Sequence, residues 1–289
     1  MKEIALLTSI DWSTLSERLK KIKHVVLDMD GTIYHENTLI SGAKSFFELL
    51  RKQGKNYVFM TNNSSKNKYS YVEKLIQLGI HATVDNIVSS VNVTIDFLNS
   101  HKPKAKIFLV GTKSFQEELE AEGFTVVSPF YRKMDIDYVL VGFDTELNYA
   151  KVEGACYFIS RGVEYIATNC DIRCPVKEGK YIPDCGAICQ LISAATDCHP
   201  LFLGKPNEYI VHTVMSKCNV KKEDIICIGD RLYTDIAVGI KAGVDTAVVL
   251  TGETTKEDLV DTIFQPTYCF QSIKDIYQLL LERGSFNKL

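Results

Sequence analysis

Two carboxylates, Asp28 and Asp30, end the apolar run in VVLDMDGT, residues 25–32. In extended backbone, alternate side chains share one side. The two acids therefore face the same way and repel unless something compensates. A divalent cation with oxygen ligands is the usual compensation, and Gly31 lets the chain turn sharply and approach a ligand closely. A bare Asp-x-Asp reads as a strand end with a solvated acidic turn. With Gly31 and Thr32 added behind an apolar strand, a functional site is the better reading.

Three further polar residues occupy the same kind of place. Thr61 follows the apolar run 57–60, Lys205 follows 200–204, and Asp230 follows 225–229. Each lies just past the carboxyl end of an expected buried strand, the edge at which open α/β sheets bind ligands. Four such residues, complementary in charge and hydrogen-bonding type, are hard to read as scaffold. Each has a plainer reading when taken alone. Thr61 and Asn62 can cap the helix that follows, though capping and phosphate binding coexist at a helix N-terminus. Lys205, before Pro206, would be a surface turn lysine in any isolated Gly-Lys-Pro, and Asp235 can be a capping residue only.

The elements that must position these residues follow from hydrophobic periodicity. Ala43, Phe46, Phe47 and Leu50 mark an amphipathic helix stopped by Gly54. Tyr71, Val72, Leu75 and Ile76 mark a second helix. Asp85 is a cap for a third, carrying Val88, Val91, Ile95 and Leu98. Strand–helix alternation resumes with strands at 107–111, 138–142 and 165–168, and with a helix carrying Ile188, Leu191 and Ile192. Between these last two, residues 170–184 read as a loop, long for an α/β connection and holding Pro175, Gly179 and Pro183. Strands at 200–205, 225–229 and 246–252 follow, with helices between them (Ile236, Ala237 and Ile240 on one face) and a closing helix from Ile273. Ile4, Leu6, Leu7, Ile10, Leu15 and Leu19 suggest an N-terminal packing arm over residues 1–21. This alternation predicts an α/β fold with parallel sheets covered on both faces.

A chain of 289 residues holds one large α/β domain or two smaller ones. Its net charge of −3 provides no long-range attraction for nucleic acid or acidic lipid. No apolar run approaches the ~18 residues of a membrane span, and the first residues do not resemble a signal peptide. The expectation is a cytoplasmic protein with neither nucleic-acid nor membrane partners. The nine cysteines, an odd number with none in the first half, make a poor disulfide framework. Cys170/Cys174 and Cys185/Cys189 are spaced CxxxC and not C-x₂-C, so reduced thiols are expected over a zinc site.

Asp28-Met-Asp30-Gly-Thr32, Thr61-Asn62-Asn63-Ser64, Gly204-Lys205-Pro206 and Gly229-Asp230-Arg231-x-x-Thr234-Asp235 resemble, in order, the four motifs of the haloacid-dehalogenase (HAD) superfamily. The TNNS, GKP, GDRLYTD and TGETTKEDL segments are similar to the NagD-like, class IIA phosphatases, a group with p-nitrophenyl, phosphoglycolate, pyridoxal-phosphate and nucleotide phosphatases. The resemblance runs from about Ile22 to about Gln278. It implies a Rossmann-like HAD core (residues 1–103 and 199–289) with an inserted α/β cap of the C2 type (104–198). It also implies Mg²⁺-dependent hydrolysis of a small phosphorylated metabolite.

On that resemblance Asp28 is the nucleophile, forming an aspartyl-phosphate, and Asp30 the general acid and base. Mg²⁺ is held by Asp28, the Asp30 carbonyl and Asp230, with Asp235 supporting from behind. Thr61 and the amides after it, those of Asn62 and Asn63, bind the phosphoryl oxygens, and Lys205 opposes their charge. Arg173 and Cys174 fall in the loop that sets substrate specificity in relatives. They replace the distinctive residues of the pyridoxal-phosphate and phosphoglycolate members, so no substrate transfers from those. Arg173 can pair with a carboxylate or second phosphate of a substrate or remain solvated. Cap-mediated dimers occur in the group, so a homodimer through the cap is an arrangement the resemblance allows. The competing readings are a phosphotransferase or mutase sharing the aspartyl-phosphate, and a non-catalytic binding protein that has kept the fold.

Overall fold

Short apolar runs form parallel strands here, and the amphipathic stretches between them form the covering helices. The computed structural model describes residues 12–176 and 180–281. Ile4, Leu6, Leu7 and Ile10 of the expected arm and Gly179 of the long loop lie outside the described residues.

In chain order the elements are α1 (Trp12–Lys21), β1 (His24–Leu27), β2 (Tyr34–His35), β3 (Thr38–Leu39), α2 (Ala43–Lys52), β4 (Asn56–Thr61), α3 (Lys68–Gln77), β5 (Ile87–Ser89) and α4 (Ser90–His101). Then come β6 (Lys106–Val110), α5 (Lys113–Ala121), β7 (Thr125–Val127), β8 (Tyr138–Val141), α6 (Tyr149–Ile159), β9 (Glu164–Ala167), β10 (Arg173–Val176), β11 (Lys180–Pro183) and α7 (Cys185–Thr196). The chain closes through β12 (Leu201–Phe202), α8 (Tyr209–Cys218), β13 (Ile225–Gly229), a π-helical turn (Leu232–Ile236), α9 (Ala237–Ala242), β14 (Asp245–Val249), β15 (Tyr268–Phe270) and α10 (Ile273–Leu281).

The described residues divide into two compact units. One falls within Met1–Met60, Val72–Ile87 and Val211–Leu289, the other within Thr61–Tyr71 and Val88–Ile210. The first unit is built on a six-stranded sheet of order β15-β14-β13-β1-β4-β5. Leu27 pairs in parallel with both Ile228 and Phe59, so the carboxyl ends of β1, β13 and β4 lie within two residues of one another. β1 and β13 are buried along their whole length, as strands covered on both faces are. The second unit has a five-stranded parallel sheet, β12-β9-β8-β6-β7.

α1 is fastened to the first unit at both its faces and its end. Leu15 and Leu19 are buried, and Arg18 grips Asp245 with two bonds of 2.7 Å. The last turn of a helix leaves carbonyls without partners. Lys55 Nζ takes up those of Lys20 (2.7 Å), Leu19 and Ile22.

Several local expectations need correction. The helix carrying Val91, Ile95 and Leu98 starts later than Asp85: Ser89 caps it by accepting from Asn92 N, and Val88 belongs to β5. The 170–184 segment contains an antiparallel hairpin, with Arg173 opposite Pro183 and Cys174 opposite Ile182. Ile76, Leu191 and Ile240, counted into apolar helix faces, are all exposed. The nine cysteines are free thiols. Cys185 and Cys189 sit one turn apart on α7 with Sγ atoms 4.0 Å apart, and burial pushes the Cys185 thiol well up, into its unreactive protonated form. Among the described residues, no helix is long and apolar enough to cross a membrane.

Candidate active site

The acidic residues assemble within the first unit. Asp28 leaves β1 with its N–H bonded to Ile228 O (2.9 Å), which holds it against the end of β13. The chain then turns tightly: Met29, buried between the acids, accepts from the N–H groups of Thr32, Ile33 and Tyr34. Asp28 is partly buried and Asp30 exposed, the alternation expected of extended chain.

Asp230 is 3% exposed and held from two loops. Its Oδ1 accepts from Thr32 Oγ1 (3.3 Å) and its Oδ2 from Glu253 N (2.8 Å). Two glycines make room for that carboxylate. Gly31 has φ +82°, and a Cβ there would lie 2.7 Å from Asp230 Oδ2; at Gly252 the distance would be 1.9 Å. Gly31 therefore serves the turn and also lets the β1 and β13 loops close on each other. Thr251 Oγ1 pins the same turn by donating to Gly31 O (2.6 Å).

Asp235 stands in the π-helical turn, buried, with Oδ2 accepting from Arg231 N (3.1 Å). Carboxylate oxygens of Asp28, Asp230 and Asp235 all lie within 4.8 Å of one another. Three carboxylates at that spacing form an all-oxygen donor set suited to a hard divalent cation. Asp235, expected to support the others from behind, stands with them in the cluster. The Asp30 carboxyl is not part of this group.

The second unit gathers the other polar residues. Thr61 closes β4, and its Oγ1 accepts from Asn63 N (3.2 Å). Asn63 Oδ1 accepts from Ser65 N and Oγ (2.9 and 2.7 Å), a side-chain turn that shapes the loop. Ser64 is built into the scaffold: its Oγ accepts from Phe143 N (2.8 Å) and lies 3.0 Å from Thr168 Oγ1. The Asn62 side chain is occupied by Lys205 and Asp171, so its main-chain N–H is the group left for the expected substrate contact. Lys205 itself is buried.

On the hairpin, Arg173 is exposed with its guanidinium 4.5 Å from the centre of the Tyr181 ring. Its neighbour Cys174 points the other way and packs on the hydrophobic core of the second unit. Sequence reasoning gave no role to the buried Asp171, and it singled out Thr251, Gly252 and Glu253 only as part of the TGETTKEDL resemblance, without their place around Asp230. The polar TGE run directly after β14 was the available signal for the latter group.

Residues 25–125 match the family profile "Haloacid dehalogenase-like hydrolase", and residues 202–276 match a second, HAD-hydrolase-like profile. An acid sugar phosphatase of Staphylococcus saprophyticus is 33% identical over 262 residues, 91% of this chain and 99% of that one. A 4-nitrophenylphosphatase from Thermotoga maritima superposes with a TM-score of 0.85 at 39% identity, covering 91% of this chain and 99% of its own. NagD from Escherichia coli K-12 superposes with a TM-score of 0.80 at 29% identity, covering 88% and 98%. The chain belongs to the haloacid dehalogenase-like hydrolases, and within them to the NagD-like phosphatases. Phosphatases of this family generally use a divalent metal, and this chain has an acidic triad, Asp28, Asp230 and Asp235.

Proposed function

We propose that the protein hydrolyses small phosphomonoesters with Mg²⁺ as its divalent ion, through a covalent intermediate on Asp28. The observation that carries this reading is the cluster of Asp28, Asp230 and Asp235 at the carboxyl edge of a parallel sheet, beside the exposed Asp30. Asp28, Asp230, Asp235 and the Asp30 carbonyl would hold the ion, which when bound offsets the charge of a phosphate dianion against the attacking carboxylate.

An Asp28 carboxylate oxygen attacks phosphorus, and the bond from phosphorus to the ester oxygen breaks. Asp30 gives its proton to the leaving alkoxide. Asp30 then takes a proton from water, whose oxygen attacks phosphorus and releases inorganic phosphate and the free Asp28 carboxylate. Thr61 and the N–H groups of Asn62 and Asn63 bind the phosphoryl oxygens, and Lys205 opposes the charge that spreads over them.

On this reading residues 104–198 form the inserted cap and residues 1–103 and 199–289 the core, bounds that differ from those of the two compact units, where 61–71, 88–103 and 199–210 go with the second. Arg173 on the hairpin reads an anionic group of the leaving portion. The similarity to an acid sugar phosphatase supports placing phosphorylated sugars in the first substrate panel. Free thiols throughout are those of a reducing compartment such as the cytoplasm. A homodimer through the cap is the assembly to test by light scattering.

Phosphate release from p-nitrophenyl phosphate and a panel of sugar phosphates, with Mg²⁺ and with EDTA, tests the reading. Turnover should need the metal and should fall by at least about 10⁴-fold in Asp28→Asn, with the circular dichroism spectrum unchanged. Appreciable turnover by folded Asp28→Asn would remove Asp28 from the nucleophile's role. Labelled phosphate appearing on a sugar hydroxyl, and not as inorganic phosphate, would make the protein a phosphotransferase.

A further inference from the structure

Lys205 is 3% exposed, and a lysine held that far from water depends on whatever fixes its main chain. One side chain grips it twice. Asn62 Oδ1 accepts from Lys205 N (2.8 Å), and Asn62 Nδ2 donates to Lys205 O (3.0 Å). Bonds at both ends of a residue fix its rotation about the chain, and so the direction in which its side chain leaves. A carboxamide has two N–H donors, and Asn62 gives the second to Asp171 Oδ2 (3.1 Å). Its own carbonyl is held by Ser90 Oγ (2.7 Å).

The neighbouring backbone is shaped to admit this grip. At Gly204 a Cβ would fall 2.7 Å from Asn62 Oδ1 and 2.5 Å from Thr168 O, the carbonyl that accepts from Gly204 N (2.7 Å). Asp171, at the other end of the grip, stands two residues before Arg173. Its carbonyl accepts from Gly186 N (2.8 Å) in the first turn of α7.

We propose that Asn62 is a positioning residue whose carboxamide clamps the Lys205 main chain at both N and O and, through Asp171, ties it to the root of the hairpin that carries Arg173. The proposal rests on the reading of Lys205 as the cation opposing the phosphoryl oxygens. Asn62 then contributes to rate through Lys205, although its side chain meets no substrate.

Steady-state kinetics with p-nitrophenyl phosphate, together with thermal unfolding, tests it. Asn62→Ala should lower kcat by about 10–100-fold, the scale of a displaced catalytic group, while KM changes by less than about threefold. Asn62→Asp keeps the acceptor but sets a carboxylate against Asp171 and Lys205 O, and should be worse. Adding Asp171→Asn to Asn62→Asp restores a donor opposite a carboxylate and should recover about tenfold of the lost kcat; this pair also serves if Asn62→Ala does not fold. In a Lys205→Ala background, Asn62→Ala should cost less than about twofold more, because the group it positions is gone.

Wild-type kcat in folded Asn62→Ala overturns the proposal. So does an equal fold-loss in both backgrounds, which marks a merely structural role, and so does no recovery in the reciprocal pair. Wild-type turnover by Lys205→Ala would instead remove Lys205 from the mechanism, an outcome separate from the other three.

Discussion

Asp230 is held by a hydroxyl from one loop and an N–H from another, between two positions that have no room for a methyl group. The placing of the Asp230 carboxylate is therefore set by what is missing at Gly31 and Gly252 as much as by its hydrogen bonds. Gly252→Ala should push the Asp230 carboxylate off its bonds, since the new Cβ would lie 1.9 Å from Oδ2. The expected result is a kcat loss of about 100-fold with more Mg²⁺ needed for half-maximal turnover, read from a metal titration. Asp28, Thr61 and Asp230 could be singled out in the sequence because each is the polar residue at the end of an apolar strand. Lys205, by contrast, lies three residues past the two-residue β12, whose Leu201 is exposed, and not at the end of the buried strand expected there. Asp171 could not be singled out, because its partner Asn62 lies 109 positions away, and no local pattern distinguishes a buried carboxylate from a loop one.

The β10–β11 hairpin belongs to the scale of elements. Two strands exposed on this scale are marginal by themselves, and here β11 is exposed at every residue while Cys174 anchors β10 to the core. Tyr181 supplies the flat face on which the Arg173 guanidinium rests. Tyr181→Ala should loosen Arg173 and raise KM about 3–10-fold for substrates whose leaving group is anionic, the scale of an exposed cation–π contact. It should leave KM for p-nitrophenyl phosphate unchanged. Equal shifts for both substrate types would take Arg173 out of substrate reading. The longer elements were readable from period alone. β5, β7 and β15 were not: each is three residues long, too short to display an alternation. The hairpin escaped because its prolines, Pro175 and Pro183, mark turns more often than strands.

On the scale of the whole molecule, the fold's sensitivity to acid has one traceable source at His24, buried in β1 where it pairs with Ile225 and Asn56. Burial lowers its pKa below the usual 6.5; Asp224 opposes that and Lys23 adds to it. The unfolded chain therefore takes up this proton first. The contribution to stability is fully present above pH 6.5 and is lost as pH falls below it. His24→Gln should flatten the dependence of the urea midpoint on pH between about 5 and 7, and an unchanged slope would assign the acid sensitivity to other groups.

The order of strands has a consequence for how the chain is made. β1 sits in the first unit's sheet between β4 and β13, and β13 is translated about 200 residues after β1. At a ribosome's usual pace that is a wait of roughly ten to forty seconds. Throughout it, one side of β1 has no neighbour. The strands of the five-stranded sheet all emerge during that interval, between Lys106 and Phe202. The nascent chain thus finishes its inserted sheet first, while the half-built sheet that bears Asp28 is left with an open edge, the state in which a parallel-stranded chain is most in need of a chaperone.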